Sequence, residues 1–296
     1  MSPSSIVIGY TATPAGADAL ALGVRLARGL GMRLDLVVVL PAEGTRNAAV
    51  PPERAYVDHI RRQAQEWLRT ASATIPDDVE RMGHVRFGDS FAAGLIAAAE
   101  EFDARLIVVG AAGTSAFGRH RLGSVASDLV HSSPIPVVLA TAGSAEDVDL
   151  ALPITRVSAA IGTREGSDVL LEEAVAVTRA SGGSLRLISL VPFDTPAGLD
   201  TAAITLVRNS HGGDVLAQAR EALPAGVEAT VERATGDSVE DAVAHLPWEP
   251  GEIVLVGSSR LAQPRRLFLG STAAKMLHEL PVPMIVVPRT RGTGKA

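Results

Sequence analysis

The 296-residue sequence contains no cysteine, which excludes disulfides, iron–sulfur clusters, thiolate zinc sites and cysteine nucleophiles together. Aromatic residues are scarce: two Trp, two Tyr and six Phe leave little to stack on single-stranded nucleic acid. Basic side chains are outnumbered, 27 Lys and Arg against 33 Asp and Glu, for a net charge of −6. Nothing therefore attracts the chain in general to a phosphate backbone, and no nucleic-acid partner is expected. No run approaches the roughly 20 consecutive apolar residues of a membrane span, and Met1 to Ser5 lead into an apolar strand without a charged leader region. A cytoplasmic protein with no membrane partner is the expectation. Also missing are a Gly-x4-Gly-Lys-(Ser/Thr) loop, a Gly-x-Gly-x-x-Gly after the first strand, and any close spacing of the seven histidines with one another or with Glu. P-loop chemistry is excluded, and no metal site is predicted.

What is present is a repeat. Leu106-Ile-Val-Val-Gly110 recurs as Ile253-Val-Leu-Val-Gly257, Leu122-Gly-Ser124 as Leu269-Gly-Ser271, and Pro134-Ile-Pro-Val137 as Pro281-Val-Pro-Met284, all at one offset. Gly88-Asp-Ser90 matches Gly236-Asp-Ser238, and Leu34-Asp-Leu-Val37 matches Leu185-Arg-Leu-Ile188. Such self-similarity over long stretches marks two copies of one domain. The predicted boundaries are 1–142 for the first, 143–152 for an acidic linker, 153–290 for the second and 291–296 for a tail.

In each copy short Val/Ile/Leu runs alternate with longer amphipathic stretches, the pattern of strands buried on both faces of a parallel sheet and covered by helices. Ile6–Ile8, Leu34–Leu40, Val85–Phe87, Leu106–Val109 and Pro136–Ala140 are the strands of the first copy. Ala17, Leu20, Val24 and Ala27 share one helical face, as do Val57, Ile60, Ala64, Trp67, Leu68 and Ala71. Phe91, Leu95, Ala99 and Phe102 make a third, with Asp89 or Ser90 as N-cap. In the second copy Gly212-Gly213 interrupts the second helical stretch, where a break or kink is expected. The fold class predicted is α/β: two tandem Rossmann-like domains, each with its own five-stranded parallel sheet of order 3-2-1-4-5 rather than one merged sheet, and helices on both faces.

The residues that can carry chemistry follow the fourth strand. Gly110-Ala-Ala-Gly113, then nine residues including Arg119, His120 and Arg121, then Gly123-Ser124 form a strand, glycine loop, helix unit. Glycines allow close backbone approach, and a helix N-terminus offers unsatisfied N–H groups and the positive end of its dipole to an anion. The same residues also read as a plain turn with a serine cap. Gly88-Asp-Ser90 invites comparison with a hydrolase nucleophile, but it occurs twice, each time before a helix, and capping covers both. His131 and His278, at the end of the fourth helix, suit the C-terminal dipole.

At Gly110, Gly113, Gly123 and Ser124 the sequence resembles the universal stress protein family, whose nucleotide-binding members carry Gly-x2-Gly-x9-Gly-(Ser/Thr) there. The resemblance spans both copies and implies a tandem member with adenine nucleotide alpha hydrolase-like domains. It implies that Gly110, Gly113, Gly123, Ser124 and Val125 surround ribose and phosphates while the backbone at Val39 meets adenine. The ligand implied is ATP or another adenine nucleotide, with Mg2+ as its candidate companion. Thr11 stands where the family has an aspartate ending strand one, and the second copy has Gly162 there. In the second copy Arg260 replaces the second glycine, so its site is expected to be degenerate. No general base or nucleophile is evident at the loop, so an enzyme is not expected. The resemblance further implies that the fifth strands, Val137–Ala140 and Met284–Val287, pair as an intrachain pseudo-dimer. A homodimer and an unidentified protein partner complete the expected associations. A nucleotide-free scaffold of the same fold is the alternative.

Overall fold

The computed structural model of the chain describes residues 4–42, 54–114, 120–147, 152–162, 166–190, 215–259 and 266–290. The first half runs β1 (Ser5–Gly9), α1 (Pro14–Leu30), β2 (Arg33–Pro41), α2 (Arg54–Thr74), β3 (Arg81–Gly88), α3 (Phe91–Glu101), β4 (Ala104–Gly110), β5 (Ala112–Thr114), β6 (His120–Arg121), α4 (Ser124–Ser132), β7 (Val137–Ala140) and α5 (Ser144–Asp147). The second runs β8 (Arg156–Ala160), α6 (Ser167–Ser181), β9 (Ser184–Leu190), α7 (215–221), β10 (Ala229–Ala234), α8 (Val239–Ala244), β11 (Glu252–Gly257), α9 (Ser271–Glu279) and β12 (Met284–Val287). Arg119, Gly212-Gly213, Arg260 and the tail lie outside the described residues.

Local chemistry sets the helix ends. Thr13 caps α1, its hydroxyl accepting from Gly16 N at 3.3 Å, with Pro14 opening the helix and Gly31 ending it at φ 65°. Ser90 and Ser238, the serines of the repeated Gly-Asp-Ser, cap α3 and α8 by accepting from Ala93 N and Asp241 N at 3.1 and 3.0 Å.

Each half has the strand order 3-2-1-4-5, all parallel, as the alternation of apolar runs and amphipathic helices requires. The two sheets are nevertheless merged, contrary to the expectation of separate ones. The order across the molecule is β10-β9-β8-β11-β12-β7-β4-β1-β2-β3. The seam is antiparallel, Met284 opposite Leu139, Ile285 opposite Val138 and Val286 opposite Val137. Both seam strands are wholly apolar and buried. Apart, each would present an unpaired apolar edge to water, so the fifth-strand pairing and two separate sheets cannot both hold. Alternation along the strands then feeds two cores that run across both halves. Ile6, Ile8, Leu106, Val157, Leu185 and Ile285 face the side of α1, α2 and α6. Val7, Val37, Ile107, Leu139, Val254 and Met284 face α3, α4, α8 and α9.

The seam is reinforced outside the sheet. Leu267 N donates to Ser133 O at 2.8 Å and Leu269 N to Val130 O at 3.0 Å, closing terminal carbonyls of α4 with backbone from the other half. The start of the acidic linker is ordered. Asp18, buried in α1, accepts from Gly143 N at 3.1 Å, Ala145 N at 2.8 Å and Ser144 Oγ at 3.4 Å, so it caps α5. Further along α1, Arg25 Nε donates to Leu152 O at 3.0 Å.

Two polar clusters interrupt the apolar strands near their amino ends. In the first half Asp35, fully buried, accepts from the hydroxyl of Ser5, from Arg33 Nε at 3.1 Å and from His84 Nε2 at 2.8 Å. Burial pushes its carboxyl up, but the hydrogen bonds from Ser5, His84 and Arg33 together outweigh it and hold it below the usual range. A carboxyl lowered in the folded state contributes stability that is complete above the unfolded value, about pH 4, and is lost as pH falls through the folded one. Urea unfolding should therefore show stability declining below about pH 4, with a shallower decline in Asp35→Asn. Equal slopes for the two proteins would remove Asp35 as the cause.

Candidate functional site

Strands β1, β2 and β4 run parallel and end at one edge of the sheet, and the helices that follow them begin there. In such sheets this carboxyl edge is where ligands bind.

Val39 lies in β2 with its side chain buried, and α3 rests on it through Gly94, where a Cβ would stand 2.4 Å from Val39 Cγ1. Its backbone is turned elsewhere. Leu34 N donates to Glu80 O and Ala42 N to Gly88 O, so even-numbered residues of β2 pair with β3. Arg33 N donates to Ser4 O and Tyr10 N to Val37 O, so odd-numbered ones pair with β1. Val39 directs its N–H and C=O to the β1 side two residues beyond Val37, past the last residue of β1. A donor and an acceptor side by side match the hydrogen-bonding edge of a purine.

Thr11 forms the turn between β1 and α1. Its carbonyl accepts from Thr13 N at 2.8 Å, and its hydroxyl lies 2.9 Å from that of Thr13, the cap of α1. The half-buried Thr11 hydroxyl thus spends one hydrogen bond on the turn and keeps lone-pair capacity beyond it. In the second half Gly162 has open space where a Cβ would go, and its carbonyl accepts from Ser167 Oγ at 2.8 Å.

Gly110 ends β4, but the close approach it permits is to the protein. A Cβ there would stand 2.0 Å from the carbonyl oxygen of Ala15, in the first turn of α1. The loop after it, read from the sequence as a glycine cradle, is a hairpin. Ala112–Thr114 and His120–Arg121 pair antiparallel as a small second sheet, with Gly113 in the outgoing strand. Pairing periodicity was not visible in so short a segment, which is why the hairpin was missed. The chain then returns to Gly123, the N-cap of α4, which has extended backbone and offers no side chain to cap the helix. Ser127 N is bonded to Gly123 O at 2.9 Å, so the N–H groups of Ser124, Val125 and Ala126 precede the first intrahelical bond and point to the carboxyl edge. Gly270 opens α9 in the same uncapped way. There Ser258 Oγ accepts from Phe268 N at 2.8 Å and Ser259 N donates to Phe268 O at 2.8 Å, tying down the loop that leads to Arg260.

Fold and chain order thus bring Thr11, Val39, Gly110, Gly123, Ser124 and Val125 to one edge. His131 lies at the far end of α4, donating from Nδ1 to Ser127 O at 2.6 Å with its ring edge-on to Phe268. Among the described residues no group of three His, Asp or Glu could hold a metal ion, and no helix is long and apolar enough to cross a membrane. Sequence reasoning missed Asp18 and Asp35. The available signal was a carboxylate inside an otherwise apolar stripe, which marks a buried, partnered group.

Known proteins share this arrangement. The family model described as "Universal stress protein family" matches residues 4–141 and again 153–288. A universal stress protein of Mycobacterium tuberculosis is 29% identical over 304 aligned residues, which cover 96% of this chain and 99% of its own. Among solved structures, a universal stress protein of Archaeoglobus fulgidus aligns over 97% of this chain and 98% of its own at 20% identity and a TM-score of 0.66. A Pseudomonas aeruginosa protein of unknown function aligns over 97% and 92% at 16% identity and a TM-score of 0.58. With both halves matched by one family model and merged through their fifth strands, the chain belongs to the universal stress protein family as a tandem member.

Proposed function

We propose that this chain is a cytoplasmic, non-enzymatic regulatory protein of the stress response that binds one adenine nucleotide, ATP or a relative, in its first half. The observation that carries the reading is the joint placement, on one sheet edge, of the Val39 backbone donor and acceptor directed past the end of β1 and an uncapped helix N-terminus at Ser124. The first suits adenine; the second suits phosphate. Thr11 serves as a ribose or base contact. It supplies no charge, so Mg2+, if it accompanies ATP, is held by the phosphates. A universal stress protein of Archaeoglobus fulgidus is known in complex with dAMP. The second half is read as silent, because Gly162 offers no side chain and Arg260 replaces a loop glycine. Losing two hydrogen bonds of about 1 kcal/mol each weakens binding more than tenfold.

Calorimetry with ATP, ADP and AMP should give one nucleotide per chain, and Gly113→Arg should abolish the heat without unfolding the protein. No heat at millimolar nucleotide would move the weight to a nucleotide-free scaffold of the same fold. Ordered adenine in the second half of a ligand-soaked crystal, with the first half empty, would reverse the two roles.

A further inference from the structure

The two halves share a strand register but bury opposite charges in it. β1 pairs with β2 so that Val7 lies opposite Asp35, and β8 pairs with β9 so that Ser158 lies opposite Arg186. One strand further out, His84 of β3 lies opposite Val37 and Glu232 of β10 opposite Ile188, two residues that match in the repeat. Asp35 and Arg186 thus occupy one position of the domain, and His84 and Glu232 another. In the first half a buried acid on the inner strand is held by a base on the outer one, Asp35 by His84 Nε2 at 2.8 Å, with Ser5 and Arg33 as its other partners. In the second the polarity is reversed. Buried Arg186 on the inner strand donates to Glu232 on the outer one at 3.0 Å, and to Glu252 of β11 at 2.6 Å and Ser158 Oγ at 2.8 Å. The apolar residues make no such distinction, since Leu34, Leu36 and Val37 of β2 correspond to Leu185, Leu187 and Ile188 of β9, all of them buried.

We infer that these buried charges of reversed sign keep the two halves from exchanging strands as the chain folds. Exchange of matching elements is the characteristic misassembly of repeated domains, and here register and apolar pattern both permit it. Charge forbids it. With β2 in the place of β9, Asp35 would lie between Glu252 and Glu232, and a carboxylate buried beside carboxylates loses the cation that its burial requires. With β9 in the place of β2, Arg186 would meet Ser5 and His84, and none of the groups that hold Asp35 is a carboxylate. Exchange of the outer strands alone fails in the same way, with Asp35 against Glu232 and Arg186 against His84. A buried ion pair adds little net stability over apolar side chains of similar volume, whereas a buried charge without its partner is strongly unfavourable. The sign carried by each half therefore acts chiefly on which strands can be neighbours.

Because the chain has no cysteine, an introduced pair reports which strands are neighbours. Val38→Cys with Val85→Cys, opposite one another in β2 and β3, reads the native pairing. Val38→Cys with Arg233→Cys reads the exchange, since Arg233 lies opposite Ser189, the residue of β9 that corresponds to Val38. The full chain is refolded from urea by dilution and oxidised, and the disulfide is scored within and between chains on all the protein, soluble and precipitated. The otherwise unaltered chain should give the native cross-link and little of the exchanged one. Adding His84→Glu and Glu232→Lys together makes the exchanged outer strands the complementary ones and should raise the exchanged cross-link at least about tenfold. Asp35→Asn with Arg186→Met removes the charge from both inner strands without placing like charges together in the native sheet, and should also raise it; this neutral variant carries the test where the reversed one does not refold. An exchanged cross-link already abundant in the unaltered chain, a reversed variant that refolds without the rise, or a neutral variant that shows no rise would each overturn the inference.

Discussion

Glu252→Ala should cost the protein about 3–5 kcal/mol, because it strands buried positive charge. Glu252 begins β11, is 1% exposed, and accepts from Arg156 Nη2 at 2.6 Å, Arg186 Nη2 at 2.6 Å, the hydroxyl of Ser158 and Glu249 N at 3.1 Å. Arg186, 2% exposed, is the largest fully buried side chain among the described residues. It also donates to Ser158 Oγ at 2.8 Å and Glu232 Oε2 at 3.0 Å, and its guanidinium sits 4.8 Å from the Trp248 ring. Without Glu252 it keeps only Glu232, which is a third exposed, as a carboxylate partner. Desolvating a guanidinium for so little return is the source of the loss. Urea denaturation measures it. A midpoint within error of the parent would mean that water reaches Arg186 and that the cluster is not buried in solution. Glu249→Ala is the control. The Glu249 side chain is exposed, and its carboxylate pairs with Arg156 at 2.5 Å while the backbone bonds of Glu249 to Glu252 survive the substitution, so about 0–1 kcal/mol is expected.

Gly110→Ala and Gly257→Ala occupy matching places in the two halves, and their effects should differ sharply. At Gly110 the new methyl would lie 2.0, 2.6 and 2.8 Å from the O, C and Cα of Ala15. These are backbone atoms and cannot rotate away, so the first turn of α1 must move, and with it the Thr11–Thr13 turn. A destabilisation of about 3 kcal/mol is expected, at the upper end for overpacking, and under the proposed function nucleotide binding is lost with it. At Gly257 the nearest atom is Leu170 Cδ2 at 3.8 Å, an ordinary contact, and a change within about 0.5 kcal/mol is expected. Thermal unfolding and calorimetry on the same samples separate two meanings of the glycine. If Gly110→Ala keeps its stability and loses only nucleotide, the glycine serves the ligand and the approach of α1 is looser than 2.0 Å.

Much of this molecule was legible without coordinates. The repeat, the strand order within each half, the two capping serines and the pairing of Val137–Ala140 with Met284–Val287 all followed from motifs, from periodicity or from family resemblance. The caps are carried by residues close together in the chain, and the strands and helices themselves by the 2.0 and 3.6 residue periods; strand order joins residues as distant as Ile6 and Leu106 and was legible because parallel crossovers allow few connections. Other features depended on residues brought together from far apart. Nothing near Asp18 in sequence says that it will cap a helix 125 residues away, and nothing near Asp35 names Ser5 and His84 as its partners. Gly110 illustrates the limit most clearly. The sequence marks it as a place of close approach, but only the packing of α1 against the end of β4 decides that the neighbour is Ala15. A glycine records that space is needed, and the tertiary structure alone determines what fills it, because steric exclusion acts between atoms whatever their separation along the chain.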